Sequence, residues 1–150
     1  MTGVARVGYD PSMDDALLEW TAALAVGIEE IDTQHQELFL RVARVRDAAF
    51  SGDVSEVDRT LAFLQQYVEF HFAAEERFMA EQRYPGLDRH REEHAWLLQA
   101  VREIEADHRR DGPRAEATAR VERFLSDWVR THIGVTDLGM ARFVRRARPR

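Results

Sequence analysis

Apolar residues recur at three- and four-residue steps along four stretches of this chain, and each stretch is closed by a short polar or glycine-bearing break. His35, Leu38, Val42, Val45 and Ala49 form the first stripe, with Asp32 placed to cap it and Ser51 and Gly52 to end it. Ser55, followed by Asp58, opens a second stripe in which Leu61, Leu64, Val68, His71, Glu75 and Phe78 keep the helical period. After Tyr84, Pro85 and Gly86 the period restarts as Leu87, His90, His94, Leu97, Val101 and Ile104. Asp111, Gly112 and Pro113 turn the chain into a fourth stripe, Val121, Leu125, Trp128 and His132, which Gly134 is expected to break. Short connections make successive helices antiparallel, so the pattern predicts an all-α, up-down-up-down four-helix bundle. Residues 1–31 read as an irregular N-terminal arm, and Asp137 to Val144 as a short C-terminal helix lying against the bundle.

The stripes carry an anomaly. Five of the six histidines, His35, His71, His90, His94 and His132, occupy core positions, and the carboxylates Glu75 and Asp137 accompany them. A single core histidine is ordinarily a packed, hydrogen-bonded residue, but this many inward imidazoles without partners would sacrifice stability. His71 with Glu75, and His90 with His94, stand four apart and so grip one locus from one side of a helix. When the four stripes face a common axis, every histidine except His108 converges at one level. His108 lies 14 residues beyond His94, roughly 21 Å along a helix, and reads as a helix-terminal residue favoured by the dipole. Phe72, Phe78, Met79, Trp96 and Trp128 are assigned to core packing.

Composition narrows the chemistry. With no cysteine among the 150 residues, disulfides, thiolate nucleophiles and Cys-ligated metals are excluded. No lysine is present either, which removes Schiff-base chemistry and a phosphate-cradling P-loop lysine. A net charge of -6 argues against nucleic acid as a partner. Neither a signal-peptide pattern nor an 18-residue apolar run is visible, so a cytoplasmic protein without membrane insertion is expected, with monomer as the default.

Seven ligating side chains exceed what one tetrahedral zinc takes. Two roughly octahedral metals need about 12 donor positions, and five imidazoles, two bridging carboxylates and a bridging oxide or hydroxide fill all but one. Imidazole with carboxylate suits iron, and a redox-active pair with one open position is a natural site for dioxygen. A competing reading takes HREEH at 90–94 as the H-x-x-E-H zinc-peptidase motif with Glu93 as general base. It leaves His35, His71, Glu75 and His132 unexplained. Under the two-metal reading Glu93 falls outside the ligand set, and its removal is expected to leave metal occupancy unchanged.

The segments VGIEEIDTQHQELF, HFAAEERFM, YPGLDRHREEHAWL and WVRTHIGVTD fill an H, HxxxE, HxxxH, HxxxxD pattern, and by them the chain resembles the hemerythrin family, specifically its single-domain bacterial members, from about Trp20 to Phe143. The resemblance implies two non-haem irons, one on His90, His94 and His132 and the other on His35 and His71. Glu75, Asp137 and an oxide or hydroxide would bridge them. It further implies reversible dioxygen binding rather than enzymatic turnover, with a di-iron oxidase or peroxidase as the alternative, and an apolar ligand pocket for which Val129 and Ile133 are candidates by position. On this reading residues 1–19 are an N-terminal extension, 20–144 the hemerythrin-like domain and 145–150 an Arg-rich tail.

Overall fold

A computed structural model describes residues 19–148. A single 3-10 turn, Ala22–Leu24, precedes α1 (Glu29–Ser51), α2 (Ser55–Glu81), α3 (Leu87–Asp111) and α4 (Ala115–Trp128); a π-helical segment, Val129–Asp137, then leads into α5 (Leu138–Ala147). No strand occurs among the described residues. α1 packs against α2 and α4, and α2 packs against α3, which closes the predicted antiparallel bundle.

The helix starts differ from the expected ones. α1 begins at Glu29, with extended Ile28 ahead of it and no side-chain cap. Asp32 sits inside the first turn instead, where its carboxylate accepts the N–H of Val26 at 2.8 Å and of Gly27 at 3.2 Å. The residue reaches backwards and straps the arm to the helix. Glu29 and Glu30 join it in that turn, where negative charge favours the helix dipole. At α2 the capping oxygen belongs to Asp53, which accepts both the N–H and the hydroxyl of Ser55, at 3.0 and 2.6 Å. Gly52 at φ 77° ends α1 and donates to the Ala48 carbonyl, a left-handed closure that a side chain would strain.

Gly134 does not break the fourth helix. The chain runs from α4 through the π segment into α5 with helical backbone on both sides of each junction. The C-terminal helix is therefore a continuation rather than a separate piece laid on the bundle.

Two apolar clusters make the core. The larger gathers Leu38, Val42, Leu64, Val101, Leu125 and Trp128 with their neighbours, and includes Val129 and Ile133; the smaller joins Val26, Ile31, Met79, Met140 and Ala141. Along α1, α2, α3 and the α4–π segment, the candidate ligands lie at the edge of the larger cluster that faces the smaller one. Apolar packing on both sides, at about 1.5–3 kcal/mol for each large side chain buried, thus sustains a polar layer in the middle. Trp96 departs from the expected packing: it is 67% exposed, because the α3 stripe turns through His94 and Leu97 and leaves the residue between them outside. Likewise Ala48, not Ala49, faces the core.

Candidate metal centre

All seven predicted ligands meet in the polar layer, and none is more than 2% exposed. Three helices and the π segment contribute them. His35 comes from α1, His71 and Glu75 from α2, His90 and His94 from α3, and His132 and Asp137 from the π segment.

The imidazoles turn their Nε2 atoms inward. His35 Nε2 stands 3.2 Å from His71 Nε2, and each of the two lies 3.0–3.1 Å from Glu75 Oε1. Opposite them, His94 Nε2 is 3.1 Å from His132 Nε2, while His90 and His94 lie 3.2 and 3.0 Å from Glu75 Oε2. Asp137 divides its oxygens the same way, with Oδ2 at 3.1 Å from His35 and Oδ1 at 2.9 Å from His90 and 3.3 Å from His132. Two donor sets result, His35–His71–Glu75–Asp137 and Glu75–His90–His94–His132, each with its ligand atoms within 4.8 Å of one another. Both carboxylates span the pair.

Such a layer is unfavourable without cations at its centre. Two imidazole nitrogens facing each other at 3.1–3.2 Å oppose lone pairs unless a proton or a metal lies between. Neither Asp137 oxygen has a donor with hydrogen-bond geometry. Without metal, protons must serve. Burial opposes charge on His35 and His90, but the carboxylates of Asp137 and Glu75 outweigh it and push both imidazoles up to about 10. Burial also works against ionising Glu75, yet the surrounding histidines, His71 first, hold it well below the usual carboxylate range. A buried array that retains this much charge fits divalent metal ions with nitrogen and oxygen ligands.

The outer nitrogens reveal residues that the apolar stripes do not. The Nδ1–H of His71 donates to Gln34 Oε1 at 2.9 Å, that of His94 to Glu76 Oε1 at 2.8 Å, and that of His132 to Glu93 Oε2 at 2.9 Å. These bonds fix the tautomer that frees Nε2 for a metal. Each acceptor is a sequence neighbour of a ligand, which is the signal that could have found it. Glu93 is thus engaged with His132, at odds with the general-base role of the peptidase reading. Burial opposes its ionisation, but the bonds from His132 and Thr136 hold its carboxyl below the ordinary value.

Aromatic rings wall the layer. Phe72 stacks on His94 at 3.9 Å and 6°, and Tyr67 on His71 at 4.9 Å and 20°. Burial and the charges of Glu75 and Asp137 raise the Tyr67 hydroxyl well above its ordinary pKa, which keeps it protonated. A groove of about 380 Å³ between α2 and α3 is lined by Phe72, Ala73, Glu76, Arg91, His94 and Ala95 and so reaches this wall from outside. His108, as expected, stays apart, 2.5 Å from Asp58.

The spacing of the last ligand pair explains the π winding. Asp137 follows His132 by five residues, which in an α-helix would turn it about 140° away from the axis that His132 faces. Winding with i to i+5 closure brings both to one side.

Known proteins are similar to this chain over most of its length. The sequence model described as the Hemerythrin HHE cation binding domain matches residues 26–144. The chain is 32% identical to a bacteriohemerythrin of Methylococcus capsulatus over 81% of its own length and 92% of the relative's. A bacteriohemerythrin of Ralstonia nicotianae is 29% identical over 89% and 93%, and a myohemerythrin of Theromyzon tessulatum 28% identical over 79% and 87%.

Proposed function

Because the chain belongs to the hemerythrin family, we propose that it binds dioxygen reversibly at a pair of non-haem irons, for oxygen carriage, storage or sensing. The observation that carries this reading is the double reach of Glu75 and Asp137, each of which offers one oxygen to either histidine set. In it, His90, His94 and His132 would hold one iron and His35 and His71 the other, with Glu75 and Asp137 offering an oxygen to each. When bound, the iron pair supplies the two electrons that dioxygen borrows and returns.

The remaining work falls to the chain's own groups. Gln34, Glu76 and Glu93 hold three imidazoles in the orientation that directs Nε2 inward. Val129 and Ile133, 1% and 0% exposed, are the apolar wall in this proposal, and they keep water from the open position. A site rich in histidine with only two carboxylates favours holding oxygen over cleaving it, which makes the protein a binder and not an enzyme. No helix among the described residues is long and apolar enough to cross a membrane.

Metal content and visible absorption test the proposal, on protein reduced without air, exposed to oxygen and then purged with argon. Two irons per chain and an oxygen-dependent band that disappears on purging are expected. Rapid oxidation with no reversible band would turn the assignment to an oxidase or peroxidase, and a single colourless zinc would overturn the two-iron site.

A further inference from the structure

The outer hydrogen bonds are distributed unevenly between the two halves of the centre. Two of the three histidines in the His90/His94/His132 half donate to carboxylates, Glu76 and Glu93. In the other half His71 donates to the neutral amide of Gln34; one outer nitrogen in each half, His90 Nδ1 and His35 Nδ1, is buried with no partner, so the difference lies in two carboxylates against one amide. We propose that Glu76 and Glu93 are positioning residues whose charge makes the three-histidine half the stronger metal site, and that Gln34 leaves the two-histidine half the weaker one. The inference rests on the two-metal reading above and not on the identity of the gas.

Bundle geometry explains why these positions can do this. A step of one residue turns about 100° around a helix, so the neighbour of an inward ligand faces an adjacent helix. Gln34 stands one before His35, Glu76 one after Glu75 and Glu93 one before His94. Since successive helices are antiparallel, the alternating steps all rotate the same way round the bundle. α1 therefore serves α2, α2 serves α3, and α3 serves the π segment. The position that would continue the ring toward α1 is one past His132, and there the chain has Ile133. An apolar side chain offers no acceptor, in keeping with the orphaned Nδ1 of His35.

Charge decides the effect. An imidazole whose outer N–H donates to a carboxylate is a more basic ligand than one bonded to an amide. The Glu76 and Glu93 side chains are 27% and 36% exposed, while those of His94 and His132 are 3% and 2% exposed. Each carboxylate thus reaches from the solvent edge of the bundle to the outer nitrogen of a buried ligand.

Cobalt(II) titration of the metal-free protein, followed by its visible absorption, separates the two halves. Wild type is expected to take up two ions in a tighter and a weaker step. Replacing both carboxylates, Glu76→Gln with Glu93→Gln, preserves shape and hydrogen-bond acceptance and removes only charge, and should weaken the tighter step about 10–100-fold while moving the weaker by less than about threefold. Gln34→Glu should strengthen the weaker step by a similar factor. The gap between the two steps, which a merely structural role for the glutamates would not change selectively, is the readout that assigns them to one half. Equal shifts of both steps, or none, would overturn the inference; wild type that binds fewer than two ions would instead overturn the two-metal reading.

Discussion

α3 and the segment after α4 each bring two ligands to the same layer, by different windings. His90 and His94 stand four apart on a regular helix, where residues so spaced already share a face. His132 and Asp137 stand five apart and share a face only because nine residues, Val129–Asp137, are wound as a π-helix. In the first pair local geometry places the ligands. In the second, the ligands and the packing around them select the winding, since an isolated stretch would favour the α form.

The comparison can be broken at its shared element. Glu75→Ala removes the carboxylate common to both donor sets, and metal content is expected to fall from two ions per chain to below one. Retention of two would refute the assignment of both sets.

Moving the last carboxylate by one position sharpens the contrast. The double variant Thr136→Asp with Asp137→Ala offers the α-type spacing of four. If tertiary packing fixes the π segment, the new carboxylate stays off the axis and the second ion is lost, as metal analysis would report. Full two-ion occupancy would mean that the segment rewinds to suit its ligands.

Gly134 tests whether the winding depends on a flexible residue. A Cβ there would meet the Val129 carbonyl at 3.4 Å, an ordinary contact, and the backbone does not need a left-handed angle. Gly134→Ala should therefore be neutral or stabilising by up to about 1 kcal/mol, read from thermal melting with occupancy unchanged. A fall in midpoint of more than about 4 °C would show that glycine is required.

The smallest effect belongs to the ordinary start of α2, far from the layer. The two bonds from Ser55 lower the Asp53 pKa from its ordinary 3.8. A carboxyl with a depressed folded-state value stabilises the fold above its unfolded value and loses that contribution as pH falls. Asp53→Ala should melt slightly below wild type at neutral pH, and the gap should close as pH is lowered through the carboxylate range. A gap independent of pH would assign the bond no such role.

How much of this was legible in the chain varies by residue. The stripes through His71 and Glu75, and through His90 and His94, forecast both the helices and the ligands, because a regular α-helix repeats its geometry at every turn. The start of α1 departs from the pattern because Asp32 accepts bonds from the residues before it, a choice that depends on where the arm lies. The chemistry of Trp96 points inward, while its position two residues after His94, about 160° from that ligand around the helix, puts it outside.

The sequence by itself determined four helices, their antiparallel order and the convergence of five histidines and Glu75 on one layer. Those follow from periodicity and from the high cost of burying imidazoles without a shared purpose. Only the tertiary structure decided the π winding that turns Asp137 inward and the partners that Gln34, Glu76 and Glu93 give to histidines on neighbouring helices. Both depend on the angle at which one helix meets the next, which a one-dimensional pattern does not contain.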